Sequence, residues 1–458
     1  MRRQLLIVLG IFALIVAACS EADTEVTDDG TTTTTAAPDT TDTTDDDDGE
    51  DPSGDGDEPQ GDGTSIVERL AGEDWFLGTI PDLPVAADDT LEPIRIGMIN
   101  QEETPAGSFP ELRFAADAAI NFINAELGGV DGRPIELHTC ITTFSTVVSK
   151  ACAEELVLAD VVALVGGIDV LVEGALPVLE QNGIPLVGGI PAGLAEQNHP
   201  NSFSFSGGTA GGMAAYMQHA ADQGYKKAFI AYGEFESFQV AAEDYAAVVA
   251  EDLGLEVRLH PFPLFGADYT SVLNDAKAFG AEAVVINAAD AACVPVMQGF
   301  RDLEFEGTLY MFGACAADEI INNADGAQVG VVFAGEGPPD EDDVEGKIYD
   351  FASTEYNNGN AEAAGTVAFR GMMNLYGVLT ELGGDNITSE GITDILRGSV
   401  DKDSFWGHPY TCDGNQVPGL PSLCAPYETL FIIDETNTIS FISDWIDTPA
   451  LFASAFAE

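Results

Sequence analysis

Between Val162 and Pro191 the chain reads V-A-L-V-G-G, then a mixed run over Val172–Asn182, then I-P-L-V-G-G-I-P. Val162–Val165 and Ile184–Val187 are short and apolar, and each runs into a glycine pair, Gly166–Gly167 and Gly188–Gly189. Such runs suit strands buried on both faces. The amphipathic run between them predicts a helix, and together they predict a right-handed βαβ crossover. Open parallel sheets bind ligands beyond the carboxyl ends of their strands, where glycine lets a backbone approach a guest. The same glycines serve equally well as tight turns.

The alternation continues on both sides. Strand Ile94–Ile99, helix Pro110–Leu127, strand Ile135–Ile141 and helix Thr146–Leu158 come before it. Phe203–Gly208 then crosses to a second block, with helices predicted over Met213–Gln223, Ala241–Asp252, Tyr269–Phe279 and Pro295–Leu303. Its strands are Ala228–Ala231, Val257–Pro261, Ala283–Asn287, Leu309–Phe312 and Val329–Ala334. Gly335, Glu336 and Gly337 open a loop before the helices Val344–Tyr356 and Glu362–Leu382, and Thr429–Ile433 with Ile439–Ile442 forms a hairpin. Alternation of this kind predicts an α/β fold of two doubly wound parallel-sheet lobes. The roughly 370 residues from Leu91 onward exceed what one core usually supports, which also argues for two lobes.

Residues 1–19 have a basic head, Arg2 and Arg3, an apolar run Leu5–Val16, and V-A-A-C ending at Cys19. The run is too short for a comfortable membrane span, and the ending resembles the lipobox of bacterial lipoproteins, whose cysteine is diacylated. The expectation is an exported protein anchored by Cys19 to the outer face of the cytoplasmic membrane. Residues 20–90 read as a Thr/Asp-rich acidic tether and a transition, the latter with Trp75, Phe76 and Leu77 as an arm lying on the domain. The tether has 17 acidic residues between Glu21 and Asp62 and no Lys or Arg, so it is expected to stay disordered. Of 78 acidic and 16 basic residues in all, 61 and 14 lie beyond Gly63. A field of that sign repels nucleic acid.

Six cysteines remain besides Cys19, an even set that in an exported chain implies disulfides. Six allow fifteen pairings. The expectation is Cys140–Cys152, Cys293–Cys315 and Cys412–Cys424, because each pair joins parts of one supersecondary unit. No C-x-x-C is present and the histidines are scattered, so no metal is expected.

The phrase A-x-x-x-I-N-x-x-x-G-G-V-x-G-R-x-I from Ala119 to Ile135, together with I-R-I-G-M-I, V-A-L-V-G-G, G-I-P-L-V-G-G and F-I-A-Y-G, resembles the type I periplasmic-binding-protein fold. The likeness is to the leucine/isoleucine/valine-binding group that serves ABC importers. It implies a monomer of two lobes joined by three crossovers, lobe 1 over 91–206 plus 337–425 and lobe 2 over 207–336 plus 426–458. It further implies no cofactor, a small polar solute such as an amino acid or amide as ligand, and ABC permease subunits as partners.

In that family a Ser and a Thr after the third and fourth strands hold an amino acid's carboxylate, and an acid in lobe 2 holds its ammonium. The matching places are near Val170, Ala192 and Ala314, which lack those groups. The α-amino-acid clamp is therefore expected to be missing. The strand ends offer Gln101, Ser108, Phe109, Ile168, Asp169, Ile190, Tyr232, Phe235 and Asp290 instead. Glu102, Glu103 and Glu234 lie beside them, and if two or more carboxylates face inwards a cationic or polyhydroxylated ligand is favoured over an anion. An enzyme is disfavoured: the chain lacks G-x-G-x-x-G after the first strand, G-x-x-x-x-G-K-[ST], G-x-S-x-G and H-E-x-x-H. A ligand-sensing domain of the same fold is the alternative.

Overall fold

The computed structural model describes residues 64–104, 107–338, 343–360 and 364–457. The expected signal sequence, Cys19 and the Thr/Asp-rich tether lie outside the described residues. The chain enters through an arm that opens on helix α1 (Ile66–Arg69), capped by the Ser65 side chain. Ile66 and Val67 are buried in the same core as the first block, so the arm packs on the domain.

Strands β1 (Ile94–Gln101), β2 (Ile135–Thr142), β3 (Ala163–Val165), β4 (Leu186–Val187) and β5 (Ser202–Phe203) form a parallel sheet in the order β2-β1-β3-β4-β5. Helix α2 (Pro110–Glu126) starts at a proline, whose missing N–H costs nothing in the first turn. One face of the sheet buries α2; the other buries helix α3 (Thr146–Leu158). The run Val172–Asn182 splits into a 3₁₀ turn and helix α4 (Leu176–Asn182), which ends on left-handed Gly183.

After residues 204–207 the chain enters helix α5 (Gly208–Asp222) and a second sheet. Its strands are β6 (Lys227–Gly233), β7 (Glu256–Phe262), β8 (Ala283–Asn287), β9 (Thr308–Met311) and β10 (Val332–Gly335), all parallel. Helices α6 (Tyr269–Phe279) and α7 (Cys293–Asp302) cover one face. The chain then returns to the first lobe, where helices α8 (Val344–Asn357) and α9 (Gly365–Leu382) pack against α2, and helix α10 (Ser389–Gly398) packs on α9. It crosses a third time into β11 (Tyr427–Ile433), which pairs antiparallel with β10, β12 (Ile439–Phe441) and the two-residue β13 (Ile446–Asp447). The second sheet is thus mixed at one edge, in the order β12-β11-β10-β9-β8-β6-β7 with β13 alongside β11. Helix α11 (Thr448–Ala455) closes the chain.

The three crossings lie side by side. Ser204 N–H donates to Ser422 O at 2.8 Å, Cys424 N–H donates to Ser204 O at 2.8 Å, and Thr429 Oγ1 donates to Gly337 O at 2.9 Å. The disulfides pair neighbours: Cys140–Cys152, Cys293–Cys315 and Cys412–Cys424.

The glycine pairs after β3 and β4 do not face a guest. A Cβ on Gly188, whose φ is +73°, would sit 2.7 Å from Gly371 Cα on α9; one on Gly166 would sit 2.2 Å from Gly188 O. They let backbone pack on backbone. Gly188→Ala is expected to cost on the order of 3 kcal/mol, combining left-handed strain with overpacking against main chain. Gly183→Ala shares the positive φ but meets nothing within 4 Å, so it should cost only about 1 kcal/mol. Urea denaturation of both variants checks the contrast, and equal losses would contradict it.

Candidate functional site

The carboxyl ends of both parallel sheets face a common cavity of about 360 Å³, within the range of small-molecule sites. Phe109 reaches it from the entry to α2, where its N–H donates to Gln101 O at 3.0 Å. Ile168 and Ile190 follow β3 and β4, and Phe235 follows β6. Phe144, held at φ 56° after β2, faces Phe235 at 6.5 Å between ring centres and Phe265 at 6.2 Å. Phe312 follows β9, and the antiparallel hairpin adds Phe431 and Phe441. Trp406 completes the aromatic wall.

Carboxyl groups supply the ionisable part of the lining. Asp290 lies against the loop that carries Gly107, where a Cβ would stand 3.3 Å from Asp290 Oδ2. Burial pushes its carboxyl up to about 6. Glu111, near it on α2, is pushed up to about 7, chiefly by burial and further by the charges of Asp290 and Glu102. Glu336 and Glu428 line the end nearest the crossings. Glu336 Oε2 lies 3.7 Å from Arg370 Nη1, and Ser206 Oγ donates to Glu336 Oε1. Burial raises both carboxyls, and the charge of Glu336 raises Glu428 further, well above the usual range. Arg370 is 2 % exposed, and burial lowers its pKa. Each crossing therefore sends one side chain to this buried group: Ser206 from the first, Glu336 from the second, Glu428 from the third. No Lys or Arg lines the cavity among the described residues.

Of the residues expected at the site, the structure brings Phe109, Ile168, Ile190, Phe235 and Asp290 to the cavity. Gln101, Ser108, Asp169 and Tyr232 are placed elsewhere. Gln101 is still within the β1–β2 ladder, and its Nε2 donates to Gly107 O at 3.1 Å, shaping the loop behind Phe109. Ser108 is exposed and accepts from Glu103 N–H at 3.1 Å. Asp169 is buried towards α3, beside Ser149 and Thr142, and its Oδ1 accepts from Leu171 N–H at 3.3 Å. Tyr232 points into the second lobe's core and donates its hydroxyl to Glu243. Side chains alternate across a strand, so being one residue off sends a group into the helix layer. Glu102 is held by Arg113 at 2.8 and 3.0 Å, while Glu103 and Glu234 are exposed.

Sequence reasoning missed Phe144, Phe265, Phe312, Trp406 and the hairpin phenylalanines. Phe144, Phe265 and Phe312 stand at or just beyond the carboxyl ends of strands already read as such, which was the usable signal. Trp406 and the hairpin come from distant chain, and nothing local marks them. Val170, Ala192 and Ala314 all line the cavity and present only apolar side chains to it.

A family model described as periplasmic binding protein matches residues 93–417. The chain belongs to this family. Its members are extracytoplasmic and hold solutes without transforming them, as the binding components of ABC transporters. Solved structures of the same fold include a leucine-binding protein LivK from Thermotoga maritima, with 18 % identity, 76 % of this chain and 98 % of that one covered, and TM-score 0.64. A fatty acid ABC transporter substrate-binding protein from Thermomonospora curvata has 16 % identity, covers 82 % and 97 %, and scores 0.65. A solute-binding protein from R. palustris in complex with benzoate has 13 % identity, covers 78 % and 98 %, and scores 0.62. No curated protein sequence matches this chain. No helix among the described residues is long and apolar enough to cross a membrane.

Proposed function

We propose that this protein is a lipid-anchored solute-binding protein that captures a small, largely apolar molecule and delivers it to an ABC permease. The observation that carries this reading is the cavity lining: aromatic rings on both lobes, with Val170, Ala192 and Ala314 where an α-amino acid would be clamped. An apolar wall gives affinity through buried area, while a few polar groups fix orientation. The small polar solute expected from the family likeness fits this lining poorly. Among proteins of the same fold, one is solved with benzoate and another is named as the substrate-binding protein of a fatty acid ABC transporter. Here Asp290, Glu336 and Glu428 line the cavity and no cation among the described residues does, which favours a neutral or cationic ligand over a carboxylate. The three side-by-side crossings suit hinge closure over the guest. The V-A-A-C ending at Cys19 supports the lipid anchor.

A thermal-shift screen of matched phenylalkyl amines, alcohols, amides and carboxylates, followed by calorimetry, tests the ligand class. Amines or neutral members should raise the melting temperature, and L-leucine should give no binding heat at millimolar concentration. Micromolar leucine binding, or a clear preference for carboxylates, would overturn the reading. Cys19→Ser should release the protein from the membrane fraction; retention would remove the anchor.

A further inference from the structure

We propose that the N-terminal arm positions Trp406 in the ligand cavity, with Glu345 as the connecting residue and Phe76 as the arm's contact. The inference rests on reading the cleft as the ligand site. It concerns residues 64–90, which precede the family match at 93–417.

Trp406 lies on an irregular stretch with φ 42°, a conformation uncommon for a bulky side chain and one that the surroundings must hold. Three contacts hold it. Its N–H donates to Glu345 Oε2, its carbonyl accepts from Arg370 Nε at 3.2 Å, and its ring lies against Tyr349 at 5.1 Å. From there the indole reaches the cavity wall.

The other oxygen of the same carboxylate serves the arm. Glu345 Oε1 accepts from Phe76 N–H at 2.9 Å. The Phe76 ring meets Phe405, the neighbour of Trp406, edge-on at 5.5 Å, and Phe405 in turn packs on Phe369 of α9 at 5.4 Å. Beside it, Leu77 seats against α9 where Gly377 leaves room; a Cβ there would stand 3.1 Å from Leu77 Cδ2. One carboxylate thus spans two backbone N–H groups, one on the arm and one on a residue of the ligand wall. Both bonds need an acceptor, and a carboxylate provides two where an amide provides one. Burial raises the Glu345 pKa, while the bonds from Trp406 and Phe76 oppose that rise.

Glu345 and Phe76 are not part of the cavity lining. They fix the angle at which Trp406 enters the cavity, so loosening the arm reshapes the wall.

The neutral fluorophore N-phenyl-1-naphthylamine, used as an apolar probe of the full-length protein, tests this. Glu345→Gln and Phe76→Ala should each weaken its binding at least fivefold. Leu396→Ala, buried in the same core on helix α10 and outside the contacts that hold Trp406, should leave binding within twofold despite lost stability. With Trp406→Ala in place, Glu345→Gln should change affinity no further. A second readout needs no ligand. The chain has three tryptophans, and Trp75→Phe with Trp445→Phe leaves Trp406 alone. Acrylamide quenching of Trp406 should then rise in the Glu345→Gln and Phe76→Ala variants and stay level in Leu396→Ala. Unchanged quenching, or an affinity loss no larger than that of Leu396→Ala, would overturn the proposal. If the wild type failed to bind the probe while the quenching difference persisted, the cleft reading would fall and the positioning of Trp406 would stand.

Discussion

Arg370→Met is expected to destabilise the protein by about 3–5 kcal/mol, because it removes the one cation that, among the described residues, lies beside buried Glu428 and largely buried Glu336. Arg370 and Glu428 are each 2 % exposed, and Glu336 is packed with them where the three crossings meet. With the guanidinium gone, Glu336 keeps its bond from Ser206 but loses its counter-charge, and Glu428 faces only another acid. Glu336 would have to take up a proton, as burial already favours for Glu428, so the loss should shrink in acid. Urea denaturation at neutral pH checks the size of the effect. Adding Glu336→Gln and Glu428→Gln to the variant should restore much of the stability, since the damage is an uncompensated charge more than a lost contact. A loss below about 1 kcal/mol for the single variant would mean that the cluster is hydrated or already neutral.

The ligand-free protein is expected to be more stable near pH 5 than near pH 8. Asp290 lines the cleft and Glu111 lies near it, with pKa values pushed up to about 6 and about 7, against ordinary values of 3.8 and 4.5. An acid whose folded pKa is raised holds its proton more tightly in the native state than in the unfolded chain. Its stabilising contribution is complete below the unfolded value and lost as pH rises through the folded one. Here that window runs from about pH 4 to 7, and Glu428 acts in the same direction. Glu102, lowered by the hydrogen bonds of Arg113 and Asn100 against an opposing burial effect, works oppositely but only in stronger acid. Surface repulsion in a chain of net charge −62 also grows with pH, and salt screens it. Melting temperatures taken in 1 M salt should therefore still fall from pH 5 to 8, and Asp290→Asn with Glu111→Gln should flatten the fall. A slope that ignores both substitutions would exclude these groups as its source. By the same linkage, a cationic ligand placed beside Asp290 should bind more tightly as the pH rises.

Much of the fold follows from periodicity. Helices Thr146–Leu158 and Tyr269–Phe279 and strand Ala283–Asn287 occupy their expected ranges, because each is bounded by a clear cap or turn signal and has one dominant period. Helices Ser389–Gly398 and Thr448–Ala455 went unread. Both are short, and their burial depends on faces supplied by α9 and by helices of the second lobe. The Gly188–Gly189 pair shows the limit most plainly. Its position after a buried strand was legible, but the sequence is identical whether the neighbour is a ligand or Gly371 on a helix far along the chain.

The site divides in the same way. By itself, the sequence determined the two-block α/β alternation, the acidic balance and an even set of six cysteines beyond Cys19. These depend on local pattern and residue identity. Only the tertiary structure decided that Tyr232 and Asp169 turn away from the cleft, that Trp406 and Phe441 reach it, and that Ser206, Glu336, Glu428 and Arg370 meet in one buried cluster. The reason is that side-chain direction at a strand end changes face with a single residue, and that long-range contacts are set by how whole layers pack. Neither leaves a trace in the residues on either side.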